Sequence, residues 1–241
     1  MNIFIAGDTH GEITALYERI FKLEERLGIT ADWVLQTGNL GVWPDPNRID
    51  RATRNHGGDV DFFRYYLESR AVPRPTVFVA GKHEDHRWMN FRFSKGQLEL
   101  LPNLHWLLNG YRTHISNEED VSVVGLGKVF SPVSYISSIT PKGKALSHYR
   151  KAEIDKACAH GPTDILLCHE AGHGTKLGGR MSVSEGINKL CWALRPKVMI
   201  HGHYNESKVY KNENTGTPTI SLAFGEVRVL KYKDKKFSLL A

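Results

Sequence analysis

A short apolar run that ends abruptly on glycine and ionisable residues recurs along this chain, and that pattern limits its fold more than any other. Asn2–Ala6 (NIFIA) leads into GDTHG, Trp33–Thr37 (WVLQT) into GN, and Thr76–Ala80 (TVFVA) into GKHED. ILLC, ending at Cys168, leads into HE, and VMI, ending at Ile200, into HGHYN. Such runs read as buried strands. In open α/β sheets ligands bind beyond the carboxyl ends of parallel strands. Five polar clusters at five strand ends therefore predict one shared site rather than five unrelated structural histidines.

Between the strands, Ile13, Leu16, Tyr17, Ile20, Leu23 and Leu27 are spaced by threes and fours, predicting an amphipathic helix closed by Gly28. Further helices are expected over Asp59–Arg70, Tyr149–His160 and Ser182–Leu194, the first stopping before Pro73 and the last before Pro196. Strands are expected at Leu104–Leu108, Tyr111–Ile115, Val121–Leu126, Ile165–Cys168 and Val198–His201. The tail (SKVYKN, TPTISLAF, VRVLKYK) reads as a closing meander. With no repeat or linker-like break, residues 1–241 read as one α/β domain of two mixed sheets packed face to face, helices outside.

Composition removes several classes. No apolar run approaches the ~18 residues of a membrane span, and MNIFIAGD lacks the marks of a signal peptide. Three cysteines (Cys158, Cys168, Cys191) without metal-type spacing argue against a disulfide framework and for a reducing, cytoplasmic setting. A formal charge of +6 and a pI near 9.2 suit anionic partners such as nucleic acid.

Asp-x-His at a strand end brings a carboxylate oxygen and an imidazole nitrogen to one point. Two more histidines and a bridging oxygen would complete a site for two ions about 3.5–4 Å apart. Nitrogen and oxygen donors without thiolate suit Mn, Fe or Zn. A neighbouring histidine that binds no ion can protonate a leaving oxygen. The order GD-x-HG, GN, GKHE, HE, GHYN resembles the calcineurin-like metallophosphoesterases, whose motifs are D-x-H, GD, GNH-E/D, H and GH-x-H. The text is most similar to the RNA lariat debranching branch, and Phe130–Arg150 stands where that branch carries a lariat-recognition loop.

The resemblance implies a four-layer α-β-β-α sandwich and assigns roles by position. Asp8 and His10 would hold a first ion, His169 and His203 a second, and His83 would be the catalytic histidine. His201 would support the site rather than ligate. Three positions depart from the pattern: Asn39 for the bridging aspartate, Lys82 for an asparagine ligand, and Asn205 for the last histidine. An ammonium about 4 Å from a divalent ion is repelled by about 8 kcal/mol at an effective dielectric of about 20. The expectation is one weakly held ion, on Asp8, His10, Asn39 and Asn205, with Lys82 in or near the second ion's place and facing a phosphate. Outward pairing of Lys82 with Glu84 or Asp85 is the alternative.

Two functions compete. One is a metal-dependent phosphodiesterase on RNA or another nucleotide, using His83 and Lys82. The other is a weak or inactive phosphoesterase-fold protein that binds nucleic acid, a phosphate ligand or a protein partner. For either, Lys142, Lys144, His148, Arg150 and Lys151 form a candidate basic path, with Arg48, Arg51 and Arg54 a second set of charges. Trp43, on the loop after Asn39, is the favoured base-stacking residue, whereas the aromatics of residues 62–66 are expected to pack a helix.

Overall fold

The computed structural model describes residues 1–56, 58–116 and 119–240. Along the chain run β1 (Asn2–Ala6), α1 (Ile13–Leu27), β2 (Trp33–Gln36), α2 (Arg51–Asn55), α3 (Phe62–Leu67) and β3 (Thr76–Phe78). Next come α4 (His86–Ser94), β4 (Glu99–Leu101), β5 (Leu104–Trp106), β6 (Arg112–Ser116), β7 (Asp120–Leu126), α5 (Pro132–Ile136) and α6 (Lys151–Cys158). They are followed by β8 (Ile165–Cys168), β9 (Lys176–Leu177), β10 (Arg180–Met181), α7 (Glu185–Leu194) and β11 (Val198–His201). The chain closes with β12 (Lys208–Lys211), β13 (Pro218–Ser221), β14 (Val227–Lys233) and β15 (Lys236–Leu239).

Apart from β9 and β10, which pair with each other as a small hairpin, these strands form two large mixed sheets. The first has the order β15-β14-β1-β2-β3-β5-β4, the second β12-β13-β11-β8-β7-β6. In the first, β1, β2, β3 and β5 are mutually parallel; in the second, β7, β8, β11 and β13 are. Side chains alternate between strand faces, and here both faces are covered. Ile3, Ile5, Leu35, Val77, Val123, Ile165 and Ile200 pack between the sheets. Phe4, Val34 and Phe78 point the other way, into a core shared with α1, α3 and α4. Val124, Leu166 and Met199 do the same against α6 and α7. Burial on both faces is why these strands read as unbroken apolar runs, and it yields the four-layer α-β-β-α order.

Two expectations need correction. The tail is not one meander: β12 and β13 join the second sheet, whereas β14 pairs with β1 in the first and β15 adds to its edge beside β14. Helix α4 was not expected, because only His86 and Met89 of its nine residues are buried and its sequence shows no apolar stripe. Helix α1 matches its expected span and ends on Gly28 at φ 63°. Its first turn is capped from a distance, by the Asp61 carboxylate accepting the Ile13 and Thr14 N–H groups (2.8 and 2.9 Å).

The loops after β2 and β3 are tied together by one buried side chain. Glu84 accepts N–H bonds from Leu40, Gly41 and Val42 (3.0, 2.9 and 2.7 Å) and from Gly81 (3.2 Å). Removing it would leave four buried donors without partners, each costing about 1–3 kcal/mol before relaxation. Glu84→Ala should therefore lower unfolding free energy by on the order of 3–5 kcal/mol. Glu84→Gln, which retains one acceptor oxygen, should lose less; urea unfolding midpoints read both.

Candidate active site

The ends of β1, β2, β3 and β11 open onto a cavity of about 690 Å³, lined by Asp8, His10, Asn39, His56, Lys82, His83, Gly178, Arg180, His203, Tyr204, Asn205 and Phe224. Most residues expected at the site thus do meet. His169 lies behind the wall, fully buried, its ring 4.8 Å from that of His203. His10, Asn39, His203 and Asn205 all hold left-handed backbone, with φ between 47° and 71°. For non-glycine residues this costs on the order of 1 kcal/mol or more each, and such strain gathers at functional sites. Close approach is helped by Gly202, where any side chain would overlap the Asp8 carboxylate.

Hydrogen bonds fix what each group presents. Asn39 Oδ1 accepts the backbone N–H groups of Lys82 and His83 (2.7 and 2.8 Å), so its Nδ2 must point the other way, donating to Asp8 Oδ2 (2.9 Å). Turning the amide over would set its hydrogens against two backbone N–H groups. Asp8 also accepts the His203 N–H (3.1 Å); burial raises its carboxyl above the ordinary range despite these bonds. His169 Nδ1 contacts the Thr37 carbonyl (2.8 Å), an acceptor that fixes the proton on Nδ1 and leaves Nε2 as a bare lone pair. That Nε2, and Nδ1 of His10, are buried without partners. Burial pulls His10, His169 and His203 down to about 3, so all three are neutral imidazoles.

Lys82 is exposed in the cavity wall, and its charge acts on His203, Glu170 and His148. The outward pairing is not formed. Glu84 is spent on the four backbone donors, and Asp85 takes Arg48 (2.8 Å) and caps α4 through the Trp88 N–H. Asn205 Oδ1 accepts the Phe224 N–H (2.9 Å).

The altered positions do not supply the donors that a bridged pair of ions would need. At the bridging position Asn39 offers hydrogens instead of a lone pair, Lys82 brings a positive charge, and the Asn205 oxygen is already engaged. Asp8, His10, His169 and His203 remain. Among the described residues, no group of three or more His, Cys, Asp or Glu is arranged to hold an ion as it stands.

Other expected residues fall elsewhere. Trp43 is only 5% exposed, packed in the core, so it offers no free ring face to a base. The cavity's aromatic surface comes instead from His56, Tyr204 and Phe224, with His10, His56 and Phe224 stacked in series (3.8 and 5.1 Å between successive centroids). His148 and Arg150 stay outside the lining. His148 Nδ1 bonds to Ser134 Oγ (2.8 Å), and the Arg150 N–H donates to Glu153 at the start of α6 (2.6 Å). Lys151 pairs with Asp155 (2.6 Å). His201 is buried against Tyr210, away from the cavity lining.

The sequence reading missed Asp50, His56, Arg180 and Phe224. Asp50 Oδ2 lies 2.6 Å from His83 Nδ1, while its Oδ1 caps α2 through the Thr53 N–H (2.8 Å). Burial alone would raise the Asp50 carboxyl, but these hydrogen bonds outweigh it and hold it at about 2.

Residues 1–206 match the calcineurin-like phosphoesterase family, to which this chain belongs. Among characterised relatives, it is 23% identical to the lariat debranching enzyme of Caenorhabditis elegans, over 87% of this chain and 43% of that protein. It is 27% identical to the lariat debranching enzyme of Danio rerio, over 72% of this chain and 32% of that one. The chain thus spans less than half the length of either. In fold it is similar to the protein TT1561 of Thermus thermophilus (TM-score 0.61, 16% identity, 99% and 97% of the two chains). A dimetal phosphatase from Danio rerio is similar at TM-score 0.61 (9% identity, 100% and 95%). No helix among the described residues is long and apolar enough to cross a membrane.

Protein incubated with Mn²⁺ and desalted should carry no more than one ion per chain by elemental analysis. The double variant Asn39→Asp, Lys82→Asn should carry two, because it supplies a bridging oxygen and removes the ammonium. Unchanged uptake in that variant would refute this account of the site.

Proposed function

We propose that this chain is a phosphodiesterase acting on RNA or another nucleotide phosphodiester, with at most one weakly held divalent ion. The observation that carries the reading is the His83–Asp50 pair at the wall of a cavity that also holds Lys82. Asp50 orients the imidazole so that His83 can deliver a proton to the departing alkoxide. Lys82 serves as a point charge for a phosphate oxygen. An ion of Mn, Fe or Zn type on Asp8, His10, His169 and His203 would, when bound, supply a Lewis acid for the phosphoryl group. The names of the similar debranching enzymes support RNA as the substrate class. The three free cysteines support a reducing, cytoplasmic setting.

A second reading, a phosphoesterase fold kept for binding, is favoured by the Asn39–Asp8 hydrogen bond, which occupies the bridging position without any ion. Its ligand would be a nucleic acid, a phosphate compound or a protein partner.

Hydrolysis of bis(p-nitrophenyl) phosphate and of a branched RNA separates the two. Turnover should fall on the order of 10²–10⁴-fold in His83→Ala. In Asp50→Asn, kcat should fall about tenfold or more with KM retained, and Asp50→Glu should recover part of it. A His83→Ala protein as active as the parent would remove the proposed role. Salt-sensitive RNA binding that survives EDTA, without turnover, would establish the binding reading instead.

A further inference from the structure

Lys82 is not the only cation in the cavity wall. Arg180 begins β10, on a hairpin inserted between β8 and α7 of the second sheet, whereas Lys82 follows β3 of the first. The hairpin's two loop residues, Gly178 and Gly179, have φ of 53° and 72°, as a tight mirror-image turn requires. The Gly178 N–H donates to Glu206, and a side chain at Gly178 would overlap the Tyr204 carbonyl. The hairpin is therefore docked on the loop that carries His203 and Tyr204, and this docking sets where Arg180 stands.

Lys82 and Arg180 line the same cavity, together with His203 and Tyr204. The surrounding carboxylates are committed elsewhere: Glu84 to four backbone donors, Asp85 to Arg48, Glu170 to the Phe130 N–H, and Glu206 to Gly178. Arg180 is exposed and has no ion-pair partner among the described residues. A phosphodiester carries one negative charge, which Lys82 already matches. A cavity of about 690 Å³ has room for a ligand well beyond one phosphate group, and a guanidinium fork suits a phosphate better than any neutral group.

Building on the phosphodiesterase reading, we propose that Arg180 is a specificity residue that binds a second phosphate of the substrate. That phosphate flanks the diester engaged by Lys82 and His83. The site then selects an oligonucleotide strand over an ester with a single phosphate.

The test has a binding arm and a turnover arm. Binding of a short single-stranded RNA with phosphorothioate linkages is followed by fluorescence anisotropy in EDTA across a salt series. Arg180→Gln should weaken binding about tenfold and reduce the salt slope by about 0.7, the loss of one single-strand phosphate contact. Arg180→Lys should keep the slope and recover part of the affinity. In turnover, Arg180→Gln should lower kcat/KM for RNA about tenfold more than for bis(p-nitrophenyl) phosphate, chiefly through KM. Unchanged RNA affinity and slope in Arg180→Gln, an equal penalty on both esters, or a parent that binds no RNA would each overturn the assignment. A parent that hydrolyses neither ester but binds RNA through Arg180 would defeat the hydrolase reading and leave this one standing.

Discussion

The site rests on the Glu84 carboxylate. Its two oxygens take four backbone N–H groups from two loops that neighbour each other only because β2 and β3 are parallel and adjacent. Burial pushes this carboxyl up to about 7, yet the donors converge on both of its oxygens. That convergence turns two loose strand ends into one rigid shelf. Asn39 stands at one end of the shelf, with Lys82 and His83 at the other. Asn39 Oδ1 then joins the ends a second time, through the Lys82 and His83 N–H groups. The positions of His83 and Lys82 are thus consequences of the backbone, set before any ligand arrives.

The same shelf explains why asparagine is tolerated at position 39 and what it changes. The half of the side chain that holds the backbone needs only an acceptor oxygen, which asparagine and aspartate share. The other half faces Asp8, where aspartate would place a second negative charge that an ion must neutralise. Asparagine places hydrogens there, and the Asp8 carboxylate is satisfied by a hydrogen bond. The substitution keeps the scaffold and removes the demand for an ion at that point.

Legibility followed the range of the interactions. The β1, β8, β11 and β14 boundaries, Asn2–Ala6, Ile165–Cys168, Val198–His201 and Val227–Lys233, agree with the sequence reading residue by residue. Those strands are signalled by their own side chains, burying one or both faces. The partition of the tail between two sheets depends on which distant strand each segment meets, and local alternation is silent on that. Within the site, Asp8, His10, Lys82, His83 and His203 were readable because they directly follow apolar runs. Asp50 was not: it pairs with His83 across 33 positions from the N-cap of a five-residue helix. Its Asp-x-x-Thr cap spacing announces a helix start and says nothing about a histidine. Trp43 failed as a stacking residue for the opposite reason. A turn-rich loop suggested exposure, but the loop is pinned to Glu84 through the Val42 N–H, and the indole beside it is drawn into the interior.

Charge links the altered positions. Relative to the motif that this chain resembles, asparagine for aspartate at position 39 adds one positive unit, and lysine for asparagine at position 82 adds another. The exchange at Asn205 is neutral for an unprotonated imidazole. The sum, two units, equals the charge of one divalent ion, so a site that gives up one ion and gains these residues has the same net attraction for a phosphate. The equivalence ends at chemistry. A divalent ion can polarise a bound water; an ammonium can hold a phosphate oxygen but lacks the open coordination positions to do so. On the proposed reading, the substitutions conserve the charge that attracts a phosphate more fully than they conserve activation of a nucleophile. On the phosphodiesterase reading proposed above, hydrolysis would therefore rest more heavily on His83 and Asp50 than in a site with two ions.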